Sequence, residues 1–198
     1  MNLQLLRFTY LKIYLTVSLT LGAVFSGISQ EFKFSHITAE QGLSMTVVNC
    51  VLQDSRGFMW FGTQDGLNKY DGYNITIFKH NPVDSNSLSN NFINVLYETK
   101  GGDLLVGTNG GGLDAYNLST GKFKHHIGVQ GNKNSLSNNN VKALLEDNQG
   151  LLWIGTDDGL NSYDRKKNKF TRYLNDNNNT THCYWISCCC YYYHLNIE

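Results

Sequence analysis

The sequence predicts an all-β chain: β-propeller repeats, about three four-stranded blades of an incomplete propeller. Three observations carry that expectation. One stretch of sequence is written three times, at Leu43, Leu88 and Leu136, with steps of 45 and 48 residues. Within each copy, short apolar runs alternate with Gly- and Asp-rich turns. The 198 residues hold 13% aromatics, 19 glycines and a single proline, a balance that suits repeated sheets and excludes a Pro-rich linker. Strand-type repeats with a period of about 40–50 residues mark blades rather than one ordinary domain.

Each copy opens with a strand. Val48, Cys50 and Leu52 are read on one face, with Asn49, Val51 and Gln53 on the other. The second copy sets Ile93, Val95 and Tyr97 against Asn94, Leu96 and Glu98; the third sets Val141, Ala143 and Leu145 against Lys142, Leu144 and Glu146. Period-two alternation is the pattern of a strand buried on at least one side. The turns DSRG, TKGG and DNQG follow, where Gly supplies a positive φ and Asp bonds its own backbone two residues on. The runs FMWFGT, DLLVGT and LLWIGT suit strands buried on both faces. Their glycines Gly62, Gly107 and Gly155 imply close approach of a neighbouring backbone or of the propeller axis. The turns QDG, NGGG and DDG lead to a third strand (LNKYD, LDAYN, LNSYD). The turns DG, STG and RKKN then lead to a fourth, outer strand (NITIFKH, KFKHHI, KFTRYL). Four strands joined by tight turns make one blade. Lys79, Lys124, Lys169 and Arg172 on the outer strands read as solvated edge charges.

The termini differ from the repeats. Residues 1–29 carry Arg7 and Lys12, an apolar stretch from Ile13 to Phe25, and the small residues Gly27 and Ser29. That is the pattern of a secretory signal peptide, cleaved after Ser29, and it places the chain in the periplasm or outside the cell. The blades are then expected at 30–81, 82–127 and 128–174. Residues 175–198 form an aberrant low-complexity tail in which the repeat stops inside an Asn-rich run, as a frameshift or truncation near 177–181 would produce. No membrane span is expected after the signal peptide. Three wedge-shaped blades leave two apolar faces uncovered, so the chain by itself is expected to be marginally stable unless a partner covers them.

Composition narrows the function. Lys+Arg and Asp+Glu number 16 each, and a chain without basic excess is poorly suited to nucleic acid. Cys50 stands where the other copies have Val95 and Ala143, a small core position. Cys183, Cys188, Cys189 and Cys190 crowd the tail beside His182 and His194 without zinc-type spacing. The Asp-turn-Trp segments resemble the hairpins of sialidase-type propellers, but a catalytic residue is needed once and these recur. Paired carboxylates such as Asp157–Asp158 recur with Asp65 at one turn. His80, His125 and His126 fall on outer strands, away from an axial site. No catalytic, cofactor-binding or metal residue is therefore assigned, and no cofactor is expected. Asn- and Asp-rich loops could bond sugar hydroxyls, yet those residues are also ordinary turn formers. Ligand-binding residues are not singled out.

The segment GLS…LQDSRGFMWFGTQDGLNKYDG resembles the two-component regulator propeller repeat. LEDNQGLLWIGTDDGLNSYD is the cleaner match, and the second copy departs from it at Thr99 and Leu105 and by an added Gly. The resemblance covers about residues 34–174. It implies the N-terminal extracytoplasmic sensor part of a bacterial hybrid two-component histidine kinase, apparently truncated here. Its ligand would be a small extracellular molecule, an oligosaccharide among the candidates, and the intact relatives would be possible dimers. The kinase part is not found in this sequence, so no enzyme activity is expected of it. The alternative is a secreted, non-signalling propeller fragment for protein interaction.

Overall fold

The computed structural model describes residues 12–16 and 36–173. Residues 12–16 form a short exposed helical turn in which the Thr16 hydroxyl bonds the carbonyls of Lys12 and Ile13. The tail from 175 on, with its cysteines, lies outside the described residues. So does most of the segment read as a signal peptide.

From residue 37 the chain opens with a 3-10 turn at Ala39–Gln41 and continues as twelve strands among the described residues. β1 (Val48–Gln53), β2 (Met59–Thr63), β3 (Gly66–Tyr70) and β4 (Ile75–Phe78) form one sheet. β5 (Ile93–Glu98), β6 (Asp103–Thr108), β7 (Leu113–Asn117) and β8 (Lys122–His126) form the second. β9 (Val141–Glu146), β10 (Leu152–Thr156), β11 (Gly159–Asp164) and β12 (Lys169–Tyr173) form the third. Every neighbouring pair is antiparallel and the strand order follows the sequence. These are the sheets of propeller blades, called blades 1, 2 and 3 below. The first strands β1 and β9 each approach β5, so the first strands form the inner side.

Two apolar clusters join the blades. Trp60, Leu67, Leu88, Ile93, Leu96, Leu104 and Val106 pack between blades 1 and 2. The second cluster, between blades 2 and 3, includes Leu105, Leu113, Leu136, Val141, Leu144, Leu152 and Ile154. The alternation along β6 explains the division: Leu104 and Val106 face back to blade 1, and Leu105 faces on to blade 3. Each such aliphatic side chain contributes about 1.5–3 kcal/mol when fully buried. Gly62 and Gly107 are required at the seams. A Cβ on Gly62 would lie 2.5 Å from Cys50 Sγ and 2.7 Å from Ile93 Cγ2, and one on Gly107 would lie 2.5 Å from Val95 Cγ1.

The strict alternation expected for the first strands is broken once in each. A register shift separates Val48 from Cys50, Ile93 from Val95, and Val141 from Ala143, which leaves Asn49, Asn94 and Lys142 as the extra residues. A bulge changes which face the preceding residue serves. Ile93 therefore packs with Leu96 toward blade 1, while Val95 and Tyr97 pack toward blade 3. Val141 likewise joins Leu144 rather than Ala143. The same face of blade 1 meets no described neighbour: Val51 is 55% exposed, against 8% for Leu96 and 6% for Leu144.

Candidate functional site

The β2–β3, β6–β7 and β10–β11 turns, among the Asn- and Asp-rich loops able to bond sugar hydroxyls, lie together at one end of the blades and form a rim. The turn of one blade docks on the segment leading into the next. The Gly66 amide donates to the Asn91 carbonyl (2.8 Å), and the amides of Gly110 and Gly112 donate to the Asn139 carbonyl (3.0 and 2.9 Å). Inside each turn a buried threonine hydroxyl closes the loop. Thr63, Thr108 and Thr156 donate to the carbonyls of Gly66, Gly112 and Gly159, each at 2.9 Å.

Most amide side chains on this rim are already engaged. Asn90 accepts from the Phe92 amide (2.8 Å), and Asn138 accepts from the Asn140 amide and donates to Asp158 (2.9 Å). Asn140 donates to Asp157 and accepts from Asn94 (2.9 Å), whose amide also reaches the Val141 carbonyl (2.9 Å). Asn49 makes the corresponding bond to the Ile93 carbonyl (2.8 Å). The two bulge asparagines thus stitch each first strand to the next blade, and Lys142 stands at this position in blade 3. The carboxylates of Asp157 and Asp158 remain exposed, and Asp65 pairs with Lys79 at 2.7 Å. Such groups accept hydrogen bonds from hydroxyl donors. Among the described residues no cluster of His, Cys, Asp and Glu could hold a metal.

The opposite end carries the Asp turns. Asp54 accepts from the amides of Arg56 and Phe58 (both 3.0 Å) and from Trp60 Nε1 (2.9 Å). Asp147 repeats this with Gln149 (2.8 Å), Leu151 (2.9 Å) and Trp153 Nε1 (3.1 Å). Burial pushes the Asp54 carboxyl up, but the bonds from Trp60, Phe58 and Arg56 outweigh it and hold it below the usual range. Every acceptor oxygen of this box serves the fold, which supports the structural reading of the repeated Asp and Trp. The direct Asp–Trp bond was not expected from the sequence. Its six-residue spacing, recurring twice, was the available signal.

A second set of clamps was also missed. The serine after each repeat leucine is held by a residue on the third strand. Ser44 donates its amide to Asn68 (2.8 Å) and Ser137 donates to Asn161 (2.9 Å), and both amide groups return a bond to the serine hydroxyl. In blade 2 the holder is Asp114, fully buried, which accepts from the Ser89 amide (2.8 Å) and hydroxyl (2.9 Å). His125 Nδ1 lies 2.7 Å from the other Asp114 oxygen. Ser89, Asp114 and His125 are thus brought together, but not as a nucleophile set. The serine is bonded to the carboxylate, and His125 Nε2 faces the Ser85 carbonyl at 3.0 Å. A triad needs the imidazole on the hydroxyl. His80 also faces a carbonyl, that of Leu88 at 2.6 Å, and His126 packs on Tyr163 and Phe170.

The cations of the outer strands are of two kinds. Lys79 is exposed and paired with Asp65, and Lys124 and Lys169 are exposed. Arg172 differs from the solvated edge charge expected of it. Its guanidinium donates to the carbonyls of Asn132 (2.7 Å), Ser135 (2.8 Å) and Leu136 (2.8 Å), pinning the linker onto β12. Cys50 is a core thiol as expected, with its pKa pushed up to about 12 by burial, so it stays protonated and unreactive. A groove of about 330 Å³ lies not on the axial side but outside, between β8 and the linker and outer strand of blade 3, lined in part by Lys124, His126, Asn134 and Phe170.

Sequential four-stranded sheets, inner first strands and repeated Asp–Trp turns define a β-propeller. The Two component regulator propeller family matches residues 42–65, 87–110 and 135–158, and these three segments are repeats of that family. The extracellular domain of a B. thetaiotaomicron protein described as a hybrid two component system superposes with a TM-score of 0.66. It is 31% identical over 71% of this chain and 20% of its own. A second extracellular domain from B. thetaiotaomicron, described as part of a one component system, gives 0.55 at 26% identity, over 70% of this chain and 20% of its own. A histidine kinase of Formosa agariphila is 44% identical over 61 residues, which is 31% of this chain and 4% of the kinase. The chain therefore spans a fifth or less of the length of these relatives. It resembles extracellular sensor domains, and no helix among the described residues is long and apolar enough to cross a membrane.

Proposed function

We propose that the chain is a fragment of the periplasmic ligand-sensing propeller of a hybrid two-component sensor kinase, responsive to carbohydrate. Residues 1–29 direct export, 30–81, 82–127 and 128–174 are three blades, and the chain carries no catalytic module of its own. The observations that support this most are the match of all three repeats to the two component regulator propeller family and the likeness to an extracellular domain of a hybrid two component system. The rim supplies the chemistry: the exposed Asp157 and Asp158 carboxylates can accept sugar hydroxyls, while the surrounding asparagines hold the loops still. Immobilised acceptors bind at lower entropic cost than mobile ones.

Export is tested by fusing residues 1–29 to alkaline phosphatase, where activity in the periplasm is the expected result. Ligand class is tested by differential scanning fluorimetry of residues 30–198 against neutral and acidic oligosaccharides. A saturable rise in Tm that is lost in D157N/D158N supports the reading, and no shift with any glycan counts against it. Sequencing the DNA that follows codon 174 tests the sensor assignment: further repeats and a kinase in any frame are expected. An unrelated gene there would favour a secreted interaction propeller.

A further inference from the structure

Blade 2 differs from its neighbours at the buried residue that holds the repeat serine. Asn68 and Asn161 are neutral amides, while Asp114 at the same register is a carboxylate with a fully shielded side chain. Its partner on the adjacent strand is His125, opposite it in the β7–β8 register; the corresponding residues are Ile77 in blade 1 and Arg172 in blade 3. His125 Nδ1 lies 2.7 Å from Asp114 Oδ1, and Nε2 lies 3.0 Å from the Ser85 carbonyl oxygen.

Both ring nitrogens therefore face oxygens. A carbonyl oxygen only accepts, so Nε2 must carry a hydrogen. The Nδ1–Oδ1 contact then needs one more proton, held by either atom. A neutral imidazole beside an ionised carboxylate satisfies one of the two contacts and sets a lone pair against an oxygen at the other. The clamp thus holds one proton more than a separate neutral histidine and ionised aspartate would. Ser85 and Ser89 both belong to the linker between β4 and β5, so this proton fastens the linker to blade 2.

We propose that Asp114 and His125 form a one-proton latch on the β4–β5 linker, closed in mildly acidic to neutral medium and released as pH rises. The direction of the titrations agrees. Burial lowers the His125 pKa, but the bond to Asp114, the Ser85 carbonyl and the Asp114 charge outweigh it, and the net shift is upward. Stability from a raised imidazole is present below its unfolded value near ~6.5 and is lost as pH climbs through the folded one. Asp114 is also raised, by burial above all, against the bonds from Ser89 and His125, so it too favours the proton-bound state. The neighbouring charges do not reverse this. His126, next on β8, is held down to about 4 by burial and the nearby Lys124 and His125, so it is neutral across the window. On the linker itself are Lys79, paired with Asp65, and Asp84 and His80; the His80 ring faces the Leu88 carbonyl.

The Ser89 amide, which donates to Asp114, is the reporter. In hydrogen exchange of the full chain between pH 6 and 9, corrected for intrinsic rate, its opening constant rises toward about tenfold per pH unit, the limit for one proton. D114N/H125R, which copies the Asn161–Arg172 arrangement of blade 3, gives a flat profile, and H80Q keeps the native slope. Independently, the His125 ring titrates by NMR above the ordinary ~6.5, a measurement on the native chain that does not depend on the variant folding. A flat native profile, a sloping D114N/H125R profile, or a His125 midpoint at or below that value overturns the latch.

Discussion

Blades 1 and 3 close their first hairpin with an Asp–Trp pair, and blade 2 closes the same hairpin without either residue. In blade 2, Thr99 Oγ1 accepts from the Asp103 amide at 3.1 Å, and Leu105 packs where Trp60 and Trp153 stand. Both hairpin types set a glycine at positive φ, +89° at Gly57 and +81° at Gly102 and Gly150. The backbone is thus common to the three turns and the side-chain chemistry is not. A buried indole N–H needs an acceptor, and a carboxylate held in the turn needs donors. Leu105 brings no N–H, so the turn of blade 2 functions with one hydroxyl. The two changes are coherent because a buried polar group left alone costs more than a pair removed together.

Substitutions in the two hairpin types test this difference directly. The largest effect is expected for Asp54→Ala, which strands Trp60 Nε1 and the amides of Arg56 and Phe58. Hydrogen exchange in β1 and β2 should show a loss of about 3 kcal/mol, from about 1–3 kcal/mol per unpaired buried group. Thr99→Ala should cost about 1 kcal/mol by the same measure, and equal losses at 54 and 99 would break the comparison. Next, Trp60→Leu should cost about 2–3 kcal/mol through the cavity and the lost bond to Asp54, which keeps its Arg56 and Phe58 donors. D54T/W60L, which copies blade 2, should then cost clearly less than the two single changes added together. A smaller loss, about 1–2 kcal/mol, is expected for Trp153→Leu, since Trp153 is only half-buried and packs at a tilt against the exposed Tyr173.

The smallest effect is in acid. Asp54 and Asp147 are both held low; burial opposes this in each, and is outweighed by Trp60, Phe58 and Arg56 at one and by Leu151, Trp153, Gln149 and Gly150 at the other. A depressed carboxylate contributes stability above its unfolded value near ~4, lost as pH falls through the folded one. The acid transition followed by exchange in β1–β2 and β9–β10 should therefore move to lower pH in a variant carrying Thr at both positions and Leu at both tryptophans. The β5–β6 hairpin should not move with it.

Much of this was legible in the chain. The turn glycines, the Asp that bonds two residues on, the close approach at Gly62 and Gly107, and the sequential strands all follow from local rules applied to a repeat. What was not legible depends on pairing between strands. The bulges at Asn49, Asn94 and Lys142 reverse the face of Val48, Ile93 and Val141, and a period-two reading cannot see an unpaired residue whose neighbours still alternate. Arg172 looked like an edge charge because its partners lie 36–40 residues away in the linker. His125 was read only as an outer-strand residue away from an axial site, because its bond to Asp114 depends on the pairing of β8 with β7.

Each blade is written in local sequence. Strand periodicity, turn chemistry and the thrice-repeated motif are encoded within a few residues of one another, where steric and hydrogen-bond preferences act directly. Tertiary structure alone decided how one blade meets the next: which apolar face looks forward or back, which asparagines stitch first strands together, and which buried carboxylate must keep a proton. Those outcomes depend on groups 11 to 47 residues apart in sequence, or on strands whose register a bulge has shifted. Only the folded chain brings them within 3 Å.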